Sequence, residues 1–205
     1  MSSLFVVNTD INKNAYPNWR RSTYPNENFC SYSEMFKSSA DDLIDTIGSN
    51  LLKKADEIIN PAIFLYRHSI ELMLKALLVT HYLLENADHE KIQKKLDGHF
   101  LESLWSKTEN IIRIHCKQYV EQDSKTLKAM REAVLELHNI DKDSTIFRYP
   151  FDNKLNVQKI GDEQRHYAID YTNLKNNMND LFVFLLGCYH VVYDKYENQD
   201  VIRVF

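Results

Sequence analysis

The 205-residue sequence predicts an all-α protein, an up-and-down helical bundle of roughly four to five long helices with a short β-hairpin insertion. Three observations carry that expectation. Glycine and proline number four each, too few for a turn-rich all-β fold. Apolar residues recur at spacings of three and four along several stretches. One stretch, Pro61 to Leu78, is apolar around most of a helical circumference, which suits a helix in the middle of a bundle.

The elements follow in chain order. Residues 1–32 read as an irregular arm, because Tyr16-Pro17 and Tyr24-Pro25 favour extended or turn geometry. Trp19, Tyr24 and Phe29 are expected to pin this arm to the body, a single helical domain over 33–205. A first helix is predicted from about Ser33 to Asn60, with Leu43, Ile44, Ile47, Leu51, Leu52, Ala55, Ile58 and Ile59 on one stripe and Gly48 as a weak point. Asn60 before Pro61 reads as a stop followed by a start, since proline suits a first helical turn. The second helix runs to about Asn86, and a charged connector covers Ala87 to Asp97. A third helix begins near Phe100. A fourth spans about Ser124 to Leu137, capped by Asp123 or Ser124. Leu155 to Ile160 and His166 to Asp170 alternate around Gly161-Asp162 and predict the hairpin. The last helix covers about Tyr171 to Tyr196, and an apolar tail, Val201 to Phe205, follows.

Bulk properties narrow the function classes. A net charge of −4 argues against a large basic field for nucleic acid, though not against a local basic site. Cys30, Cys116 and Cys188 are scattered without CxxC spacing, which disfavours structural zinc and fits reduced thiols in a cytoplasm. The N-terminal residues lack the pattern of a signal peptide. The apolar run Leu181 to Tyr193 is too short for a bilayer, so no membrane partner is expected. No P-loop, dinucleotide fingerprint, nucleophile elbow or HExxH occurs, and no cofactor is implied.

The polar ridge of the second helix is the main candidate for chemistry. Arg67, Glu71 and Lys75 stand at i, i+4 and i+8, and His68 lies three residues before Glu71. Such a row on an apolar helix is a polar site inside the bundle or a set of buried pairs; on a surface it would be a weak salt-bridge row. His99, after Gly98, is expected to position a helix start. His81 and His89 flank the charged connector without ligand spacing, and His166 beside Arg165 reads as a solvated pair near the hairpin.

Ser69 to Leu78, then Gly98-His99-Phe-Leu, then Arg148-Tyr149-Pro150, then a last apolar helix: in this order and spacing the chain resembles the HEPN superfamily over roughly residues 60–195. The resemblance implies a helical bundle that often forms a homodimer. It also implies either a metal-independent endoribonuclease of RNA-processing, toxin–antitoxin or phage-defence systems, or a non-catalytic module that dimerises or binds a partner. RNA, a second copy, and an antitoxin or other defence-system protein are the partners it suggests. The family's ribonucleases carry Arg-x(4–6)-His. Here Arg131 and His138 fit the spacing, but on a regular helix they stand about 10.5 Å apart along the axis. Arg148 fits by order along the chain, yet Lys154 and Leu155 stand where its histidine belongs. RNA cleavage needs a group titrating near neutrality and a cation on the phosphate. The candidates are His68 or His138 for proton transfer, Arg148, Arg131 or Arg67 for the phosphate, Glu71 as their partner, and Lys75 and Tyr149 for substrate contact.

Overall fold

The computed structural model describes residues 6–17, 22–47, 51–96, 98–160 and 168–199. A short 3-10 helix, Ile11–Lys13, precedes the α-helices, which are α1 (Pro25–Asp45), α2 (Leu51–Leu84), α3 (His89–Leu96), α4 (Leu101–His115), α5 (Lys117–Gln122), α6 (Ser124–Ile140) and α7 (Tyr171–Glu197). A helical bundle is thus what the described residues form. Helix α2 is its centre and packs against α1, α3, α4 and α7. Met73, Leu74, Ala76, Leu77, Leu78 and Val79 are all fully enclosed, as an all-round apolar helix requires. Trp105 of α4 and Leu181 and Leu185 of α7 complete the core around it.

Two sequence expectations need correction at the first helices. Helix α1 starts at Pro25, inside the stretch expected to be an irregular arm, because Pro25 itself supplies the first-turn φ. The helical break comes after Asp45, where the Thr46 N–H folds back to the Asp42 carbonyl, and α2 then runs through Pro61 without stopping. Pro61 and Glu57 both lie on the exposed side, so the Glu57 carbonyl that loses its donor faces water. Ile58 and Ala62 on the opposite side stay buried and hold the helix together. Trp19, Gly48 and the tail Val201 to Phe205 fall outside the described residues.

The expected β-hairpin does not form over its described part. Residues 155–160 and 168–170 lie in no strand, and 161–167 fall outside the described residues. Among the described residues the pairing is one isolated antiparallel bridge, Phe151 to Val157. The Asp152 carboxylate is the reason. It accepts the N–H groups of Lys154 and Asn156 at 2.8 and 2.9 Å and closes a tight turn, while Leu155 adopts φ 62° and leaves extended geometry. The connector before Phe100 is also more ordered than expected, since it holds α3. No described helix is long and apolar enough to cross a membrane.

Candidate functional site

The polar ridge of α2 is buried and paired. The Arg67 guanidinium is fully enclosed. Its Nε donates to the Asp141 carbonyl at 3.1 Å, its Nη1 to Glu71 Oε2 at 3.3 Å, and its Nη2 to the His99 carbonyl at 2.9 Å. One side chain therefore ties α2 to the start of α4 and the end of α6. The Asp141 carboxylate, 3.8 Å from Arg67 Nε, accepts the N–H groups of Thr145 and Ile146 and shapes the next turn. That turn presents Arg148 and Tyr149, both exposed. Burial lowers the Arg67 pKa, against the pull of Asp141 and Glu71, yet a guanidinium stays charged throughout the working pH range.

Glu71 is 1% exposed, and its Oε1 accepts from two donors, Lys75 Nζ at 2.9 Å and His99 Nδ1 at 2.7 Å. Burial raises the carboxyl pKa, but the Lys75 ammonium and the His99 ring outweigh it and hold Glu71 below the usual carboxylate range. A carboxylate only accepts, so His99 Nδ1 is the donor of this bond, and Nε2 is the ring nitrogen that Glu71 does not engage. The His99 side chain is 68% exposed. A buried carboxylate thus orients an accessible imidazole, a general acid–base arrangement. Gly98, at φ 87°, makes the left-handed turn that delivers His99 to Glu71.

His68 points elsewhere. Its ring stacks on Phe64 at 5.9 Å between centroids and meets Phe36 of α1 edge-on at 4.6 Å. Burial lowers its pKa, which Glu71 opposes and Lys75, Arg67 and His99 reinforce. The Arg148 guanidinium lies over the same Phe64 ring at 5.5 Å and over Tyr149 at 5.3 Å, and its Nε donates to the Ser144 carbonyl. Arg148 also lies close enough to Arg67 to lower its pKa.

Arg131 and His138 do not converge. Arg131 Nε faces Glu109 at 4.0 Å and His138 Nε2 faces Glu102 at 3.5 Å, two positions of α4 that are seven residues apart. His138 is buried beside Phe100, with Nδ1 unpartnered.

The structure therefore brings together Arg67, Glu71 and Lys75, sets Arg148 with its neighbour Tyr149 over the Phe64 ring on which His68 also stacks, and leaves Arg131 and His138 apart. It adds His99 and Asp141, which sequence reasoning did not select. Gly98 before His99 was the available signal for the first, and the turn sequence after Asp141 for the second. No group of three or more His, Cys, Asp or Glu side chains suited to a metal ion occurs among the described residues. No family model, curated protein or solved structure matches the chain.

Proposed function

We propose that the protein is a HEPN-like endoribonuclease in which His99, rather than His68 or His138, moves the proton. The observation that carries this reading is the exposed His99 ring held by the buried Glu71 carboxylate beside Lys75. In the reaction, His99 Nε2 takes the proton of a ribose 2′-hydroxyl. The 2′-oxygen attacks phosphorus, the bond to the 5′-oxygen breaks, and water protonates the leaving oxygen. The products are a 2′,3′-cyclic phosphate and a 5′-hydroxyl. Glu71 stabilises the imidazolium that forms, and Arg148 and Lys75 counter the charge on phosphorus. Tyr149, exposed beside Arg148, offers a face for a base. RNA processing or a toxin-type defence role follows from the resemblance.

A second reading is favoured by Arg67. Its guanidinium is spent on three backbone carbonyls, those of His99, Asp141 and Lys142, and a carboxylate, and no histidine follows Arg148 at the family spacing. In this reading the chain is a non-catalytic HEPN-like module that dimerises or binds an antitoxin or other partner, and the polar cluster is a lock between helices.

Incubation of the purified chain with a mixed-sequence RNA separates the two. The first reading expects cyclic-phosphate ends, a loss of roughly 100-fold or more in His99→Ala and Arg148→Ala, and retained cleavage in His68→Ala. Cleavage unchanged in His99→Ala removes the proposed base. Intact RNA with the wild-type chain favours the second reading.

A further inference from the structure

We propose that the cleft between the first two turns of α1 and the His68–Leu72 side of α2 is a subsite for a purine base of the RNA, next to the scissile phosphate. The cleft is lined by Pro25, Asn28, Phe29, Tyr32, His68 and Leu72 and holds about 380 Å³, a size ordinary for small-ligand sites. Phe29 and Tyr32, with Pro25 and Leu72, offer apolar faces on which a flat ring lies well. One side chain of this wall is suited to read the edge of that ring. The Asn28 amide is already engaged, since its Nδ2 donates to the Ser22 carbonyl at 2.7 Å and its Oδ1 accepts the Ser22 N–H at 2.8 Å. His68 is different. Its ring is half-buried and fixed by Phe36 and Phe64, yet its nitrogens make no hydrogen bond among the described residues.

Burial favours the neutral His68 ring, which carries one N–H donor and one lone pair. A nucleobase edge presents the matching acceptors and donors. A purine covers more of the apolar wall than a pyrimidine does, and the gain follows the area removed from water. The cleft also adjoins the groups assigned to cleavage. Leu72 precedes Lys75 by three residues on α2, and His68 precedes Glu71 by three, so both wall residues neighbour the ridge that holds His99. His99 lies close enough to His68 to lower its pKa. On the other side, the Phe64 ring on which His68 stacks also carries Arg148. A phosphate held by Lys75 and Arg148 therefore has this cleft beside it, and a base in the cleft leaves Arg148 and Tyr149 open. The choice of an RNA base as occupant rests on the cleavage reading; affinity for a free nucleotide is measured without it.

Titration of the full chain with adenosine 5′-monophosphate and with cytidine 5′-monophosphate, followed through the ring resonances of the histidines and of the nucleotide, tests the cleft. The expected result is a saturable shift of the His68 signal and tighter binding of the adenosine nucleotide. His68→Phe keeps a ring between Phe36 and Phe64, removes the nitrogens, and identifies the His68 signal by its loss. Tyr32→Ala removes one aromatic wall. Each variant is expected to weaken adenosine nucleotide binding about fivefold or more, the size of one lost base contact, and circular dichroism checks that each folds. Where the wild-type chain cuts RNA, sequences at the new 5′-hydroxyl ends are expected to show a purine excess beside the cut that Tyr32→Ala reduces. A His68 signal that neither nucleotide moves, equal or tighter binding of the cytidine nucleotide, or binding that both variants leave unchanged overturns the proposal. The two readings fail separately. Intact RNA with a chain that binds the adenosine nucleotide at His68 removes the cleavage reading alone, and cut RNA with a chain that does not bind it there removes the subsite alone.

Discussion

His68 and His99 flank the same carboxylate but have opposite surroundings. His68 is pressed between Phe36 and Phe64, where the neutral ring is favoured. His99 gives one nitrogen to Glu71 and exposes the rest of its ring. Helical spacing put Arg67, Glu71 and Lys75 on one ridge, and they do form one buried chain of contacts. It could not separate the two histidines. His68 is about 100° around the helix from Arg67, toward α1, whereas His99 arrives from a turn far along the chain. Removing Arg67 has a predictable outcome: Arg67→Met leaves Glu71 and Asp141 without their buried cation and costs about 3–5 kcal/mol of stability. Urea unfolding of the variant measures this, and a loss within error would mean that the cluster relaxes to let water in.

At the scale of elements, local signals located helices better than they located breaks. Pro61 reads as a boundary because proline blocks one hydrogen bond, but the blocked position faces solvent and the buried side of the turn is intact. Packing on α1 and α7 then decides the outcome. Pro61→Ala is accordingly expected to raise stability, by up to about 3 kcal/mol, visible as a higher thermal midpoint. A lower midpoint would mean that the proline ring stabilises the fold by more than its missing hydrogen bond costs. The alternation from Leu155 to Ile160 is legible as a strand pattern, yet Asp152 captures the backbone donors that a strand would offer to its neighbour. A side chain competing for the backbone is local chemistry, and Asp152 was there to be read.

For the whole molecule, burial of histidines sets an acid limit. His68, His81 and His115 all have lowered pKa values, each chiefly through burial. His81 Nδ1 and His115 Nε2 lie 3.2 Å apart, and Lys195 Nζ lies 3.4 Å from His115 Nδ1, so protonation there would add charge beside an ammonium. The folded state prefers the neutral rings, and the unfolded chain binds protons first as pH falls. Stability from these groups is complete above the ordinary histidine value near 6.5 and is lost through the window between it and the depressed folded values. Glu71 has the usual carboxylate sign: its contribution is present above about pH 4.5 and is lost as pH falls through its lower folded value. Urea midpoints across pH should decline first below about 6.5 and again in the carboxylate range. A profile flat between neutrality and the carboxylate range would contradict the burial of these rings.

By itself, the sequence determined the helical bundle, the central place of the helix through Leu78, and the ridge on which charges would pair. Each follows from periodicity, which is a local property of the chain. The tertiary structure alone decided that α2 passes Pro61, that Arg131 and His138 face different carboxylates, and that Glu71 meets His99. Those outcomes depend on which surfaces become buried against one another, and burial fixes both the partner of a charge and the conformations a backbone will bear.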